Sequence, residues 1–241
     1  MAFVQDQRQP FLRVPNSVLA LLAVLAIVYA AEALASPLTY NGIIARFAFY
    51  PARYSAHFIS AHHVDPGSLF DRTIPFISHI FLHGSLTHLL INSVWLLPFG
   101  SIVARRFGGV LFFAFFLVCG VAGVTTYLAC NWGSAVPVVG ASGAVSGLMA
   151  AGFRILRYPF ATEGASGPLE PIFSSRIVLW SAISILVFVV AGITGLGAGP
   201  GPQGIAWQDH VGGYITGLLL AGPFLAARNW MVGESIEGKA A

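Results

Sequence analysis

Gly140-Ala141-Ser142-Gly143 opens a short apolar run that continues through Met149 and Phe153 to Leu156. A hydroxyl at the positive end of a helix, in a low-dielectric setting, is placed where a developing oxyanion would be stabilised. That is a site for acyl chemistry if a base can reach it. The flanking Gly140 and Gly143 permit a tight turn and close backbone approach. The run covers about 15 residues, against the roughly 20 that a full span of hydrocarbon takes. The helix is therefore expected to begin inside a membrane. A base is available in Gln208-Asp209-His210-Val211-Gly212-Gly213, where Gly213 and Gly217 make a small-xxx-small face for another helix and His210 lies one turn before it. Polar donors recur in His83-Gly84-Ser85-Leu86-Thr87-His88, with Asn92 four residues after His88 and on the same helix face. Two polar residues on one stripe of an apolar span are costly in lipid, so they face a bundle interior or a wet cavity. Interhelical hydrogen bonding alone would also satisfy them. His83 falls on a different face and is read as pinning the loop.

The same four letters occur again at Gly164-Ala165-Ser166-Gly167. That copy sits in a polar stretch with Pro168 and Pro171 and no apolar helix after it, and reads as a loop. Context separates the two serines, and the rest of the chain supplies it.

Hydrophobic residues make up 56% of the sequence and charged ones 9%, too few to cover a water-facing surface. The chain is expected to be an all-α integral membrane protein in contact with a lipid bilayer. Apolar windows fall at Ser17–Ala35, Ser85–Ala104, Val110–Tyr127, Ser142–Leu156, Ile177–Gly195 and Trp207–Ala227, giving six spans with a short fourth. Residues 1–16 form an N-terminal segment without a convincing cleavage site, 17–227 the six-span domain, and 228–241 a C-terminal tail. Nine basic residues, Arg8, Arg13, Arg105, Arg106, Arg154, Arg157, Arg176, Arg228 and Lys239, fall on one side of this arrangement. Arg46, Arg53 and Arg72 fall on the other. Both termini are then expected in the cytoplasm, with a bacterial inner membrane as the setting. The basic pI follows from that anchoring and gives no reason to expect nucleic acid. Cys119 and Cys130 read as small buried thiols, since a disulfide would need Cys130 to fold back. They offer no metal spacing, no helix carries His-Glu-x-x-His, and no cofactor is expected.

The connection Ser36–His83 is too long and too apolar for a simple link, and its prolines divide it into short helices expected to lie at the interface. Glu32, near the end of the first span, either snorkels or faces the bundle. Pro98 and Gly100 could loosen the second helix. The third span reads as scaffold, the fifth as scaffold or gate, and Leu196–Gly204 as a flexible loop. Residues 131–138 return toward the membrane without a charge, so their backbone has to be buried in protein or wet. At 1.5 Å per residue Ser142 stands roughly 18 Å above Arg154 and Asn92 roughly 20 Å above Arg105, with His88 and His210 roughly 25–27 Å above Arg105 and Arg228. In a core about 30 Å thick all four lie in the same half.

Taken together, Gly140-Ala141-Ser142-Gly143 opening a short helix, His210 with Gly213 and Gly217 in the last span, and His83, His88 and Asn92 at the second resemble the rhomboid family of intramembrane serine proteases. The resemblance covers about Ser17 to Ala227. It implies a six-transmembrane-helix bundle with an internally starting fourth helix. It implies Ser142 as nucleophile, His210 as general base, and an oxyanion hole from the Ser142 backbone N–H with the His88 and Asn92 side chains. Gly140, Gly143, Gly213, Gly217 and His83 would support that site structurally, and the substrates would be transmembrane proteins. Three positions depart from the family pattern. Ser146 replaces an aromatic residue that commonly packs on the histidine, Ala104 replaces a frequent glutamate, and the first-loop Trp-Arg pair is absent near Ile74-Pro75. Asp209 stands where a small residue is common and is read as solvent-facing, because adjacent helical residues diverge by about 100°. Two other readings use the same residues: a non-catalytic rhomboid-like binder of transmembrane helices, and a transporter with a half-helix aimed at an anionic ligand.

Overall fold

A computed structural model describes residues 14–63, 65–156, 167–195 and 206–233. Among the described residues five helices are long and apolar enough to cross a membrane: α1 (Asn16–Leu34), α6 (Leu86–Phe107), α7 (Gly109–Cys130), α9 (Ser175–Thr194) and α10 (Trp207–Met231). Between α1 and α6 come the short α2 (Pro37–Phe47), α3 (Ala56–His62), α4 (Leu69–Thr73) and α5 (Pro75–Ser78), as the prolines of that stretch suggest. The remaining helix, α8 (Ser142–Ile155), has 14 residues, about 21 Å of rise, and eleven of them are buried. It is the axis of the bundle, surrounded by α6, α7 and α10.

Its burial follows from its sequence. Gly143 and Gly147 on α8 lie against Gly213 and Gly217 on α10, and a methyl group at Gly213 or Gly217 would collide with the Gly143 or Gly147 carbonyl oxygen. Two four-residue glycine spacings laid face to face let these backbones touch, the packing that replaces the hydrophobic effect between helices in lipid. On the other sides Leu148, Ala144 and Ala151 share one buried apolar cluster with Leu96 and Val103 of α6, the aromatic set Phe112, Phe115 and Phe116 of α7, and Val18 and Leu25 of α1. α9 is different: only Ile177 and Ser184 are buried. Its Ile183, Leu186, Val187 and Val190 point outward, as expected of a helix facing hydrocarbon.

α6 is one continuous helix despite Pro98, and Gly100 serves as a packing position beneath Leu96, Phe112 and Val18. The thiols differ from expectation. Both are free, but only Cys119 is buried; Cys130 ends α7 one residue short of the loop and is exposed there. Arg154 is only 9% exposed, because its guanidinium donates to the carbonyls of Glu170 and Leu218 and ties α8 to α10. Residues 157–166 with Ser166, the loop Leu196–Gly204, residues 1–13 of the N-terminal segment and 234–241 of the tail lie outside the described residues.

Candidate active site

Ser142 is the first residue of α8, and the turn that delivers it is held from the α1–α6 connection. Phe49 and Val138 exchange two backbone hydrogen bonds, 3.0 and 2.8 Å, as an isolated antiparallel bridge. Ala52 N–H donates to the Ser134 carbonyl at 2.9 Å, and Gly140 N–H to that of His79 at 2.8 Å. These bonds tie Ser134, Val138 and Gly140 of the uncharged return segment to the α1–α6 connection. Gly140 is required twice. Its φ of +118° disfavours an L side chain, and a Cβ there would stand 2.5 Å from His88 Cε1. The His88 imidazole thus covers the residue two before Ser142.

α6 begins where Ser85 caps it, its hydroxyl accepting the His88 N–H at 3.1 Å. One turn on, Asn92 is buried, and its Nδ2 has no hydrogen-bond partner among the described residues. The Ser142 N–H likewise has no acceptor among them. His83 is buried beside His88, ring centroids 5.2 Å apart, with its backbone N–H donating to Glu32 Oε2 at 3.2 Å. Glu32 therefore faces the bundle, and α1 fixes the entry to α6.

From the opposite side α10 brings His210. Asp209 and Gly213 both touch Gly143, so the turn of α10 that carries His210 packs on the first turn of α8. It also lies within electrostatic range of His88. The Phe188 ring of α9 stands edge-on to it, 5.2 Å between centroids at 81°. An aromatic ring thus packs on His210 from α9, where Ser146, buried within α8, offers none. Ser142, His88 and His210 are each partly exposed, whereas Asn92 and Asp209 are buried.

Asp209 is not solvent-facing. It is 1% exposed, its carboxylate wedged between Gly123 of α7 and Gly143 of α8, within interaction range of the Ser142 hydroxyl. The 100° divergence from His210 is real, but at this end of α10 it leads into the groove between α7 and α8 rather than to water. Phe188 carried no signal in the sequence, being one aromatic in an apolar span. Asp209 did carry one, since a carboxylate inside an apolar helix is a functional candidate by default.

A family model described as the rhomboid domain matches residues 71–227, from α4 through most of α10. The chain belongs to the rhomboid family. It is 34% identical over 146 residues to RHOMBOID-like protein 4 of Arabidopsis thaliana, a match covering 58% of this chain and 31% of that protein. This rhomboid therefore aligns with less than a third of that relative's length. As a rhomboid it is an integral membrane protein built as a helical bundle, and every candidate residue from His83 to Gly217 falls within the matched stretch.

Two histidines on the loop side of this rhomboid link structure to pH. Burial pushes His79 down to about 4, against the hydrogen bond of its Nδ1 with the Pro75 carbonyl at 2.7 Å. Burial, helped by His88, pushes His83 down to about 4 as well. Both imidazoles are neutral when folded and protonate near 6.5 when unfolded. The unfolded chain then binds more protons between about pH 6.5 and 4, so their contribution to stability is complete above about 6.5 and is lost as pH falls. Thermal unfolding in detergent should show a midpoint falling across that window, with a shallower fall in His83→Asn. A midpoint insensitive to pH there would mean that these rings are hydrated.

Proposed function

We propose that this rhomboid is an intramembrane serine endopeptidase, with Ser142 as nucleophile and His210 as general base. The observation that supports the reading is the meeting of elements at one turn: Ser142 heads α8, the α10 turn that carries His210 packs on it through Asp209 and Gly213, and His88 lies over Gly140. His210 would take the Ser142 proton as the hydroxyl attacks a peptide carbonyl. It would return that proton to the leaving amine, and a water molecule would then release the acyl group. The unpartnered Asn92 Nδ2, the His88 ring and the Ser142 N–H are the donors available to the oxyanion. No cofactor enters this scheme. A non-catalytic binder would have no use for a serine and a histidine brought to the same turn.

In this reading the substrates are single-span membrane proteins, the cleft opens on the non-cytoplasmic side, and both termini are cytoplasmic. A peptide carbonyl inside an intact transmembrane helix is bonded to the amide four residues on and shielded by side chains, so the substrate has to unwind first. Gly or Pro lowers helix stability by about 1–3 kcal/mol relative to Ala, so a weak segment near the outer interface is the expected cleavage site. The test is a series of single-span substrates in proteoliposomes. Those with Gly or Pro near the outer end should be cut, an uninterrupted Leu-rich span should resist, and the Ser142→Ala protein should cut none. Cleavage by the Ser142→Ala protein would refute the assignment, and equal cutting of both substrate types would refute unwinding as the selector.

A further inference from the structure

We infer that Asp209 is a positioning residue for Ser142, capping the start of α8 from another helix and setting the direction of the nucleophile's hydroxyl. The inference rests on the proteolytic reading above and adds to it a third polar group, one that acts on the serine rather than on the histidine.

A helix start leaves its first N–H groups without intrahelical partners, and an oxygen-bearing side chain at the preceding position ordinarily accepts one of them. At α8 that position is Ala141, which has nothing to offer. The acceptor within reach comes instead from α10: the Asp209 carboxylate packs against Gly143, within interaction range of the Gly143 N–H and the Ser142 hydroxyl. The space it occupies is built for it by two other helices. A Cβ on Gly143 would stand 2.6 Å from both carboxylate oxygens, and one on Gly123 of α7 would stand 2.5 Å from Oδ1. An alanine at either glycine would displace the group. A single side chain thus locks α7, α8 and α10 together at the turn that carries Ser142, while Oδ1 has no hydrogen-bond partner among the described residues.

The neighbours define what the carboxylate can do. Tyr127 on α7 is the titratable group within electrostatic range from that side, α8 presents only Ser142, and on α10 the next residue is His210. The His210 ring stands edge-on to Phe188 of α9, and no hydrogen bond joins it to Asp209 among the described residues. Asp209 therefore does not orient the imidazole as the acid of a triad would. By accepting from the serine hydroxyl it holds the side chain in one rotamer at the helix start, and the proton passes to His210 when the hydroxyl rotates toward an incoming carbonyl. Hydrogen-bond acceptance is the operative property, and asparagine serves as well as aspartate in a helix cap.

The experiment uses the full chain in detergent and measures the rate at which a fluorophosphonate labels Ser142, beside kcat, KM and the thermal midpoint. The wild-type protein has to label and Ser142→Ala must not; failure of either removes the proteolytic reading itself and is distinguishable from failure of the present inference. Asp209→Ala is expected to label about tenfold more slowly and to lose kcat by a similar factor, with KM little changed. Asp209→Asn, whose amide oxygen accepts the same bonds, should stay within about threefold of wild type. Should the alanine protein fail to fold, Asp209→Ser, with a shorter reach, is expected to show the same slow labelling. A lower midpoint with unchanged labelling by the folded Ala or Ser protein would make Asp209 purely structural and overturn the inference. Asparagine as slow as alanine would overturn it too, by making the negative charge the operative property.

Discussion

Alanine at position 142, or at position 210, is expected to reduce cleavage by on the order of 10⁴- to 10⁶-fold, below detection in an ordinary gel assay. The size of the effect follows from the division of labour. In the proposed mechanism no acyl intermediate would form without the Ser142 oxygen, and without His210 no group would both accept the serine proton and deliver it to the amine. Asp209 is the nearest rival base, yet its carboxylate is buried and wedged between Gly123 and Gly143, so it cannot follow the proton to a leaving group. The two losses should therefore be nearly equal, and the double variant no worse than either alone, because both residues serve one step. Thermal midpoints should change little, since both side chains are only partly buried. Ser166→Ala is the control and should cleave normally. Activity surviving in His210→Ala while Asp209→Ala is dead would exchange the roles of the two neighbours.

The parts of this molecule that were readable without coordinates are those governed by local rules. The six apolar windows coincide with α1, α6, α7, α8, α9 and α10 to within a few residues, because hydropathy and length leave few alternatives in a bilayer. The glycines at 213 and 217 likewise declared a close helix contact, and it is formed with α8. What could not be read depends on which face of one helix meets which face of another. Asp209 is an example: its angle from His210 was calculable, but its surroundings depended on how α7 and α8 flank the start of α10. Phe188 depends on α9 lying beside α10, and Glu32 on the entry to α6 passing the end of α1. The Phe49–Val138 bridge joins residues some 90 positions apart in sequence, between two segments with no strand pattern. No periodicity announces such a pairing, although the need to satisfy an uncharged loop's backbone at membrane depth announces that some partner must exist.

Replacing Asn92 is expected to lower kcat by about 100- to 1000-fold with little effect on KM, the usual cost of removing one oxyanion donor. Its amide lies one turn below His88, in a position that makes no ground-state bond: Nδ2 is buried and has no hydrogen-bond partner among the described residues. A buried donor of that kind costs free energy in the resting protein, about 1–3 kcal/mol, and recovers it only when an acceptor arrives. The acceptor in this reading is the tetrahedral oxyanion beside the Ser142 N–H, so the interaction is made in the transition state and shows in kcat. The same logic separates this role from helix adhesion. Asn92→Leu, similar in size and without a polar group, should leave the thermal midpoint unchanged or raise it while turnover collapses. His88→Ala should lower kcat as well. It also removes the ring that covers Gly140, so its midpoint should fall where that of Asn92→Leu does not. Because both donors would serve one charge, the double variant should lose less than the product of the single losses. A lowered midpoint with intact kcat in Asn92→Leu would identify the pair as a structural contact between helices and leave the oxyanion to backbone donors alone.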